Sequence, residues 1–267
     1  MDVTKPEEFI SMCGTKLNWK KLSNVVVMDV GCGNVFDCCK AILQQFPDVG
    51  HLIALDKMSN IRNVGLFKKY IKALGERFEF YVADVQIKPI VQYYEGMIDK
   101  IVSRNAFQEI SNKKLAFENV FRMLKPGGET AITFNLNDEI STWLEKMVSI
   151  PKWNKYIVEN LTPFFPGRLE MSYYKRMMKT IGFRDVQIER RNILFTYSTD
   201  KKCIDTLVII ASIFFDVPLE MTEEFRKEAW EVFKELIGSP EWTETGPIYY
   251  TRHEIYLFAV KPLNVGP

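Results

Sequence analysis

Histidine is nearly absent: two occur in 267 residues, His51 and His253, which leaves few candidates for a histidine general base. Charge of either sign is balanced to a formal +1, so no basic excess points to nucleic acid or an anionic membrane as a partner. No apolar run has the length of a membrane span, and the longest, 207–215, is far too short. The N-terminal MDVTKPEEFISMCG lacks the basic-then-apolar order of a secretory signal. Five cysteines, at 13, 32, 38, 39 and 203, are odd in number and irregularly spaced, matching neither a disulfide framework nor a zinc site. A reduced, cytoplasmic setting and no metal are expected. Internal repeats, low-complexity runs and linkers are also missing, so one domain over 1–267 is expected. Aromatic residues are plentiful, with 19 Phe, 11 Tyr and 5 Trp. That suits a bulky core or an apolar substrate pocket.

The chain is organised around 25–35, VVVMDVGCGNV. Its β-branched start reads as a strand buried on both faces. Gly31 and Gly33 carry no Cβ, so the backbone there can turn tightly and approach a ligand. The segment 36–45 then reads as a helix. Strand, glycine turn and helix open a doubly wound α/β fold, in which ligands bind at the carboxyl ends of the strands. The turn differs from the dinucleotide pattern G-x-G-x-x-G, because no third glycine follows. Asp29 precedes it. An acid there repels a pyrophosphate but suits the ammonium and sulfonium of S-adenosyl-L-methionine, the cofactor expected here.

Further strands are expected at 51–55, 78–83, 98–102 and 129–134, a sixth through Val186 and Ile188, and a last, antiparallel one at 254–260. Helices are expected in the lead-in 1–24 and at 64–73, 115–124, 173–181, 205–215 and 223–237, the one before Lys125-Pro126-Gly127-Gly128 ending on a glycine cap. The alternation implies a mostly parallel sheet of seven strands. Asp56 ends the second strand about twenty residues beyond the glycine turn, where an acid takes ribose hydroxyls; the bland reading is an exposed acid at a strand end. Asp84 closes the third strand and either reaches the exocyclic amine of adenine or is a plain turn residue. The expected cofactor contacts are Asp29, Gly31, Cys32, Gly33, Asp56, Lys57, Asp84, Val85 and Ser103. The loop 103–109 (SRNAFQE) faces methyl donor and acceptor, with Gln108 orienting the acceptor oxygen and Glu109 serving as base if buried. It has no Asn-Pro-Pro-Tyr-type run of an N-directed nucleic-acid enzyme. Cap segments are expected at about 135–172 and 203–240. Trp143, Trp153, Phe164 and Phe165 are candidates for the acceptor's pocket wall or for plain cap core.

LKPGG followed by an apolar strand, taken with D-x-G-x-G, resembles class I S-adenosylmethionine-dependent methyltransferases over 25–134. LNWKK at 17–21, DVGCG at 29–33, LAFENVF at 115–121 with Leu124, and the insert with Trp143 and Trp153 are similar to the insect juvenile hormone acid methyltransferases. That resemblance extends over most of the chain, most weakly after 185. It implies methyl transfer to a carboxylate oxygen of a terpenoid of the juvenile hormone acid or farnesoic acid type. Three departures stand out. Asn34 and Val35 replace the family's Asp-Gly after the turn, Gln108 and Glu109 replace its His-Trp pair, and the lead-in is shorter. The expected activity is therefore O-methylation of a small apolar acceptor, a phenol or a carboxylic acid. The other reading is a methyltransferase-fold binding protein that turns nothing over. Neither nucleic acid nor membrane is an expected partner.

Overall fold

Val26–Val30 (β1) is the innermost strand of the parallel part of the sheet, with two strands of that part on each side. In the computed structural model, residues 5–58, 65, 68, 72, 75–136, 139–158, 170–238 and 247–263 are described. The other strands are β2 (His51–Asp56), β3 (Phe78–Val82), β4 (Ile98–Arg104), β5 (Leu124–Asn135), β6 (Arg184–Tyr197) and β7 (Ile248–Val260). They form a seven-stranded sheet in the order β3-β2-β1-β4-β5-β7-β6. β1 to β5 pair in parallel. Gly128 accepts from the Lys261 amide at 2.8 Å, and the Leu136 amide donates to the His253 carbonyl at 2.8 Å. Partners thus ascend along β5 while they descend along β7, so β7 is antiparallel. Asn192 meets His253 and Phe195 stacks on Tyr250, which makes β6 antiparallel to β7 in turn. The strand order reverses beside β1, and that switch point is where open α/β sheets take ligands.

By internal contacts the chain divides into two units. One comprises Thr4–Phe134, Leu169–Arg190 and Ile255–Pro267. Here the helix Pro6–Lys16, with proline at its first position, packs on the helix Asp37–Gln45. Val27, Leu52, Ala54 and Val102 from the sheet meet Phe9, Ile42, Tyr256 and Phe258 in one buried cluster. Fully burying each of the Val, Leu, Ile and Phe side chains contributes roughly 1.5–3 kcal/mol. The helix Lys113–Met123 packs on Lys88–Tyr93 and Met171–Ile181. A run of rings joins them: Phe107 to Phe117 at 4.8 Å, Phe107 to Phe134 at 6.1 Å and Phe134 to Tyr174 at 5.2 Å.

The second unit holds Asn135–Arg168 and Arg191–Glu254. Its helix Thr222–Ile237 packs on Glu139–Ser149 and Asp200–Ala211. Trp143, Trp153, Phe225 and Phe233 form its centre. The helix expected at 205–215 starts earlier, because the Thr199 hydroxyl caps it by accepting from the Lys202 amide. Of the helix expected at 64–73, Gly65, Lys68 and Lys72 are helical and exposed, and the remainder lies outside the described residues.

One helix ends differently from expectation. Lys113–Met123 runs straight into β5 at Leu124, and Pro126, Gly127 and Gly128 lie inside that strand. A lysine replaces the glycine cap: Lys261 Nζ donates to the Leu124 carbonyl at 2.7 Å and the Arg122 carbonyl at 3.5 Å. The start of this helix carries a second buried lysine. Asn112 caps it by accepting from the Leu115 amide at 3.0 Å, and Lys113 Nζ donates to the carbonyls of Gln108 and Ile110 at 3.3 and 2.9 Å. Those bonds hold the loop that follows β4.

Burial pushes Lys113 down from 10.5 to about 8. Between those values the unfolded chain holds a proton that the folded chain has released. Folding stability therefore rises with pH across that window, and the cost of Lys113 is felt in full below it. Urea unfolding at about pH 7.5 and 9.5 should show the wild type gaining about 1–2 kcal/mol relative to Lys113→Met, which lacks the linkage. Equal shifts in both proteins would refute this.

Candidate active site

At the carboxyl end of β1 the chain turns over the end of β2. The Gly31 and Cys32 amides both donate to the Leu55 carbonyl, at 2.7 and 3.1 Å. Gly31 has φ +75°, and a Cβ on it would lie 2.1 Å from the Cβ of Ala106. Any side chain there would force apart the turn after β1 and the loop after β4. Gly33, at φ +63°, donates its amide to Asp56 Oδ2 at 2.9 Å. Asp56 Oδ1 accepts from the Met58 amide at 2.9 Å. Asp56 thus ties the glycine turn to the end of β2 and keeps lone pairs on both oxygens. Phe36, left-handed at φ 53°, leads into the helix Asp37–Gln45 and sets its ring edge-on to Phe78 and Phe80.

Asp29 is 1% exposed. Its Oδ2 accepts from the Cys39 thiol at 3.2 Å, and its Oδ1 has no partner among the described residues. Burial pushes its pKa up to about 7, the negative Asp56 adds to this, and the Cys39 hydrogen bond and the Arg104 charge oppose it. A buried carboxyl left half-satisfied two residues before a glycine turn is an electrostatic sink for a cation. It acts from beneath the turn, through space. Cys32, by contrast, is held as a thiol by burial and by the nearby Asp29 and Asp56. It is no nucleophile.

A cleft opens at these strand ends. The structure brings Gly31, Asp56, Lys57, Asp84, Val85 and Glu109 together along it. Three acids against one lysine leave it negative, which suits a cation better than a phosphate. Asp84 accepts from the Gln86 amide at 2.8 Å. Ser103 is a correction: fully buried, its hydroxyl donates to the Val30 carbonyl at 2.6 Å, so it locks β4 to β1 and faces no ligand. Glu109 is exposed and lies 4.0 Å from Lys57 Nζ, so the burial on which its role as base depended is missing. Gln108 is fixed next to the cleft lining, with Nε2 donating to the Asn105 carbonyl at 2.5 Å.

Trp143 and Trp153 are corrected as pocket wall. Both are 0% exposed, and their indole N–H groups are satisfied inside the helical unit by the Ala229 carbonyl and by Glu228, each at 2.8 Å. They are core. Phe164 and Phe165 lie outside the described residues. The sequence reading missed Gln86, which also lines the cleft, and included Ala106, another lining residue, and Arg104, whose guanidinium lies 3.6 Å from Asp37, only as members of the loop 103–109 with no role of their own. Small size at Ala106, opposite a glycine, was the one available signal. His51 pairs with Glu79 at 2.8 Å at the opposite, amino end of β2.

Comparison with known proteins agrees with this fold. Juvenile hormone acid O-methyltransferase of Drosophila melanogaster is 24% identical over 216 residues, covering 78% of this chain and 71% of that protein. Among solved structures, a putative methyltransferase of Bacillus halodurans aligns with TM-score 0.64 at 15% identity, covering 97% of this chain and all of that one (100%). A phosphoethanolamine N-methyltransferase 2 of Haemonchus contortus, in complex with S-adenosyl-L-methionine, aligns with TM-score 0.56 at 17% identity, over 96% of this chain and 52% of that one. Likeness at these identities shows a shared fold. The methyltransferase domain family itself matches residues 21–193, which take in β1 to β5 and the whole cleft, and the chain belongs to that family.

Proposed function

We propose that the chain is an S-adenosyl-L-methionine-dependent O-methyltransferase acting on a small apolar acceptor, a phenol or a carboxylic acid of the juvenile hormone acid or farnesoic acid type. The observation that carries the cofactor is the unpartnered buried Oδ1 of Asp29 behind a bare glycine turn and an acidic cleft. The residues present fit a cationic adenosyl ligand. Asp56 keeps lone pairs for ribose hydroxyls. Asp84 and Val85 lie along the same cleft for the base, and Gly31 and Gly33 leave the backbone bare. When bound, the cofactor supplies an electrophilic methyl on a sulfonium.

The chain's own task is then to align the acceptor oxygen and exclude water, which is worth about 7–11 kcal/mol when done well. A carboxylate acceptor is ionised near neutrality and needs no base. A phenol has a pKa of about 10 in water and gains from one. Gln108, with its amide held by Asn105, is rigid enough to orient the acceptor. In this reading the 135–172 and 203–240 segments serve as acceptor cap on a single methyltransferase domain, and the protein works in the cytoplasm. No helix among the described residues is long and apolar enough to cross a membrane.

A bound ammonium stabilises ionised Asp29, so cofactor binding releases a proton near neutral pH. Calorimetry in buffers of different ionisation heats should show that release, with affinity rising as pH climbs through about 7 and approaching tenfold per unit below it. Asp29→Asn should flatten the dependence. Asp56→Ala should weaken S-adenosyl-L-methionine binding at least about tenfold, and unchanged affinity would remove the ribose assignment. A panel of terpenoid acids and substituted phenols should give release of S-adenosylhomocysteine with at least one acceptor. Cofactor binding with no release from any of them would leave a binding protein.

A further inference from the structure

Gln86 lies in the cleft lining, and nothing in its sequence surroundings marks it. Its carboxamide is hydrogen-bonded on both sides. Nε2 donates to both oxygens of Asp84, each at 3.2 Å, while the Gln86 backbone amide donates to Asp84 Oδ1 at 2.8 Å. On the other side Oε1 accepts from the Ser111 hydroxyl at 3.2 Å and from the Asn112 amide at 3.0 Å. Donors on one side and a carboxylate on the other leave only one way round for the amide. The Asn112 amide belongs to the N-terminal end of the helix Lys113–Met123, where the helix presents partial positive charge. The bonds therefore run from helix terminus to amide to carboxylate, each polarising the next. A second tie comes from the same helix: Asn119, 5% exposed, donates Nδ2 to the Val85 carbonyl at 2.8 Å. Val85 and Gln86 are thus gripped from one helix, and Gln86 passes that hold on to Asp84.

We infer that Gln86 is a positioning residue for nucleobase recognition. It clamps the Asp84 carboxylate in one orientation, so the cleft selects a base edge that offers an N–H donor and rejects one that offers a carbonyl. The inference rests on reading the cleft as an adenosyl site. A carboxylate free to rotate could turn aside from a carbonyl edge and lose little. A clamped one must face it, lone pair against lone pair, and that mismatch is the source of discrimination.

The test compares binding of S-adenosylhomocysteine with that of its deaminated analogue, S-inosylhomocysteine, by calorimetry. Wild type should prefer the adenosyl compound by about tenfold or more. Two variants separate clamping from mere loop integrity. Gln86→Ala removes both sets of bonds. Gln86→Glu is isosteric and still accepts from Ser111 and Asn112, but it sets a second carboxylate against Asp84. Both should lose most of the preference. In Gln86→Glu part of it should return at mildly acidic pH, where the pair shares a proton and one carboxyl can donate again. Thermal melting should change little in Gln86→Glu, so a folding defect in Gln86→Ala would leave the test intact. An unchanged adenosyl-to-inosyl ratio in Gln86→Glu would overturn the clamp while leaving the cofactor reading in place. Wild-type binding of both compounds with equal affinity would do the same. Wild type that binds neither compound would overturn both.

Discussion

The backbone of Gly31 passes so close to Ala106 that the two segments touch with no room for a side chain. Most of the site follows from that approach. It draws the turn after β1 against the loop after β4 at the point where strand order reverses. Ser103 closes the same seam from below by donating to the Val30 carbonyl. Asp56 then holds the turn from the other side through the Gly33 amide. Three loops are drawn together by one bare backbone position and two short hydrogen bonds, and the cleft is the space they leave.

Electrostatically the site is built around an excess of negative charge. Asp29 is too deeply buried to contact a ligand directly, yet too poorly paired to be a purely structural carboxylate. Cys39 satisfies one oxygen, and Arg104 supplies a partial counter-charge. Asp56, Asp84 and Glu109 add acids around the opening, against Lys57. Such a field attracts a cation and repels a phosphate.

The helix Lys113–Met123 acts as a brace for both loops that flank the cleft. Its first residue holds the carbonyls after β4, its capping region holds Gln86, and Asn119 holds Val85. At its other end Lys261 meets the exposed carbonyls. The brace includes two buried lysines, and burial lowers the pKa of both. Part of the helix's stabilising contribution is spent on keeping these cations out of water.

The local sequence alone determined the alternating strands and helices, the buried first strand, the glycine turn, and the acids at the ends of β1, β2 and β3. Each of these depends on residue type and short spacing: Cβ-free backbone, β-branched runs, an acid at a strand's carboxyl end. It also carried the family, through DVGCG and LKPGG. The helix end at Met123 was misread because the residue that caps it lies 137 positions from Leu124, beyond any local rule. Trp143 and Trp153 read equally well as pocket or core, and packing within the helical unit decided for core. Ser103, Gln86 and Lys113 took their roles from partners on other strands and loops. Burial and long-range pairing come into being only when distant segments meet, so tertiary structure alone could assign them.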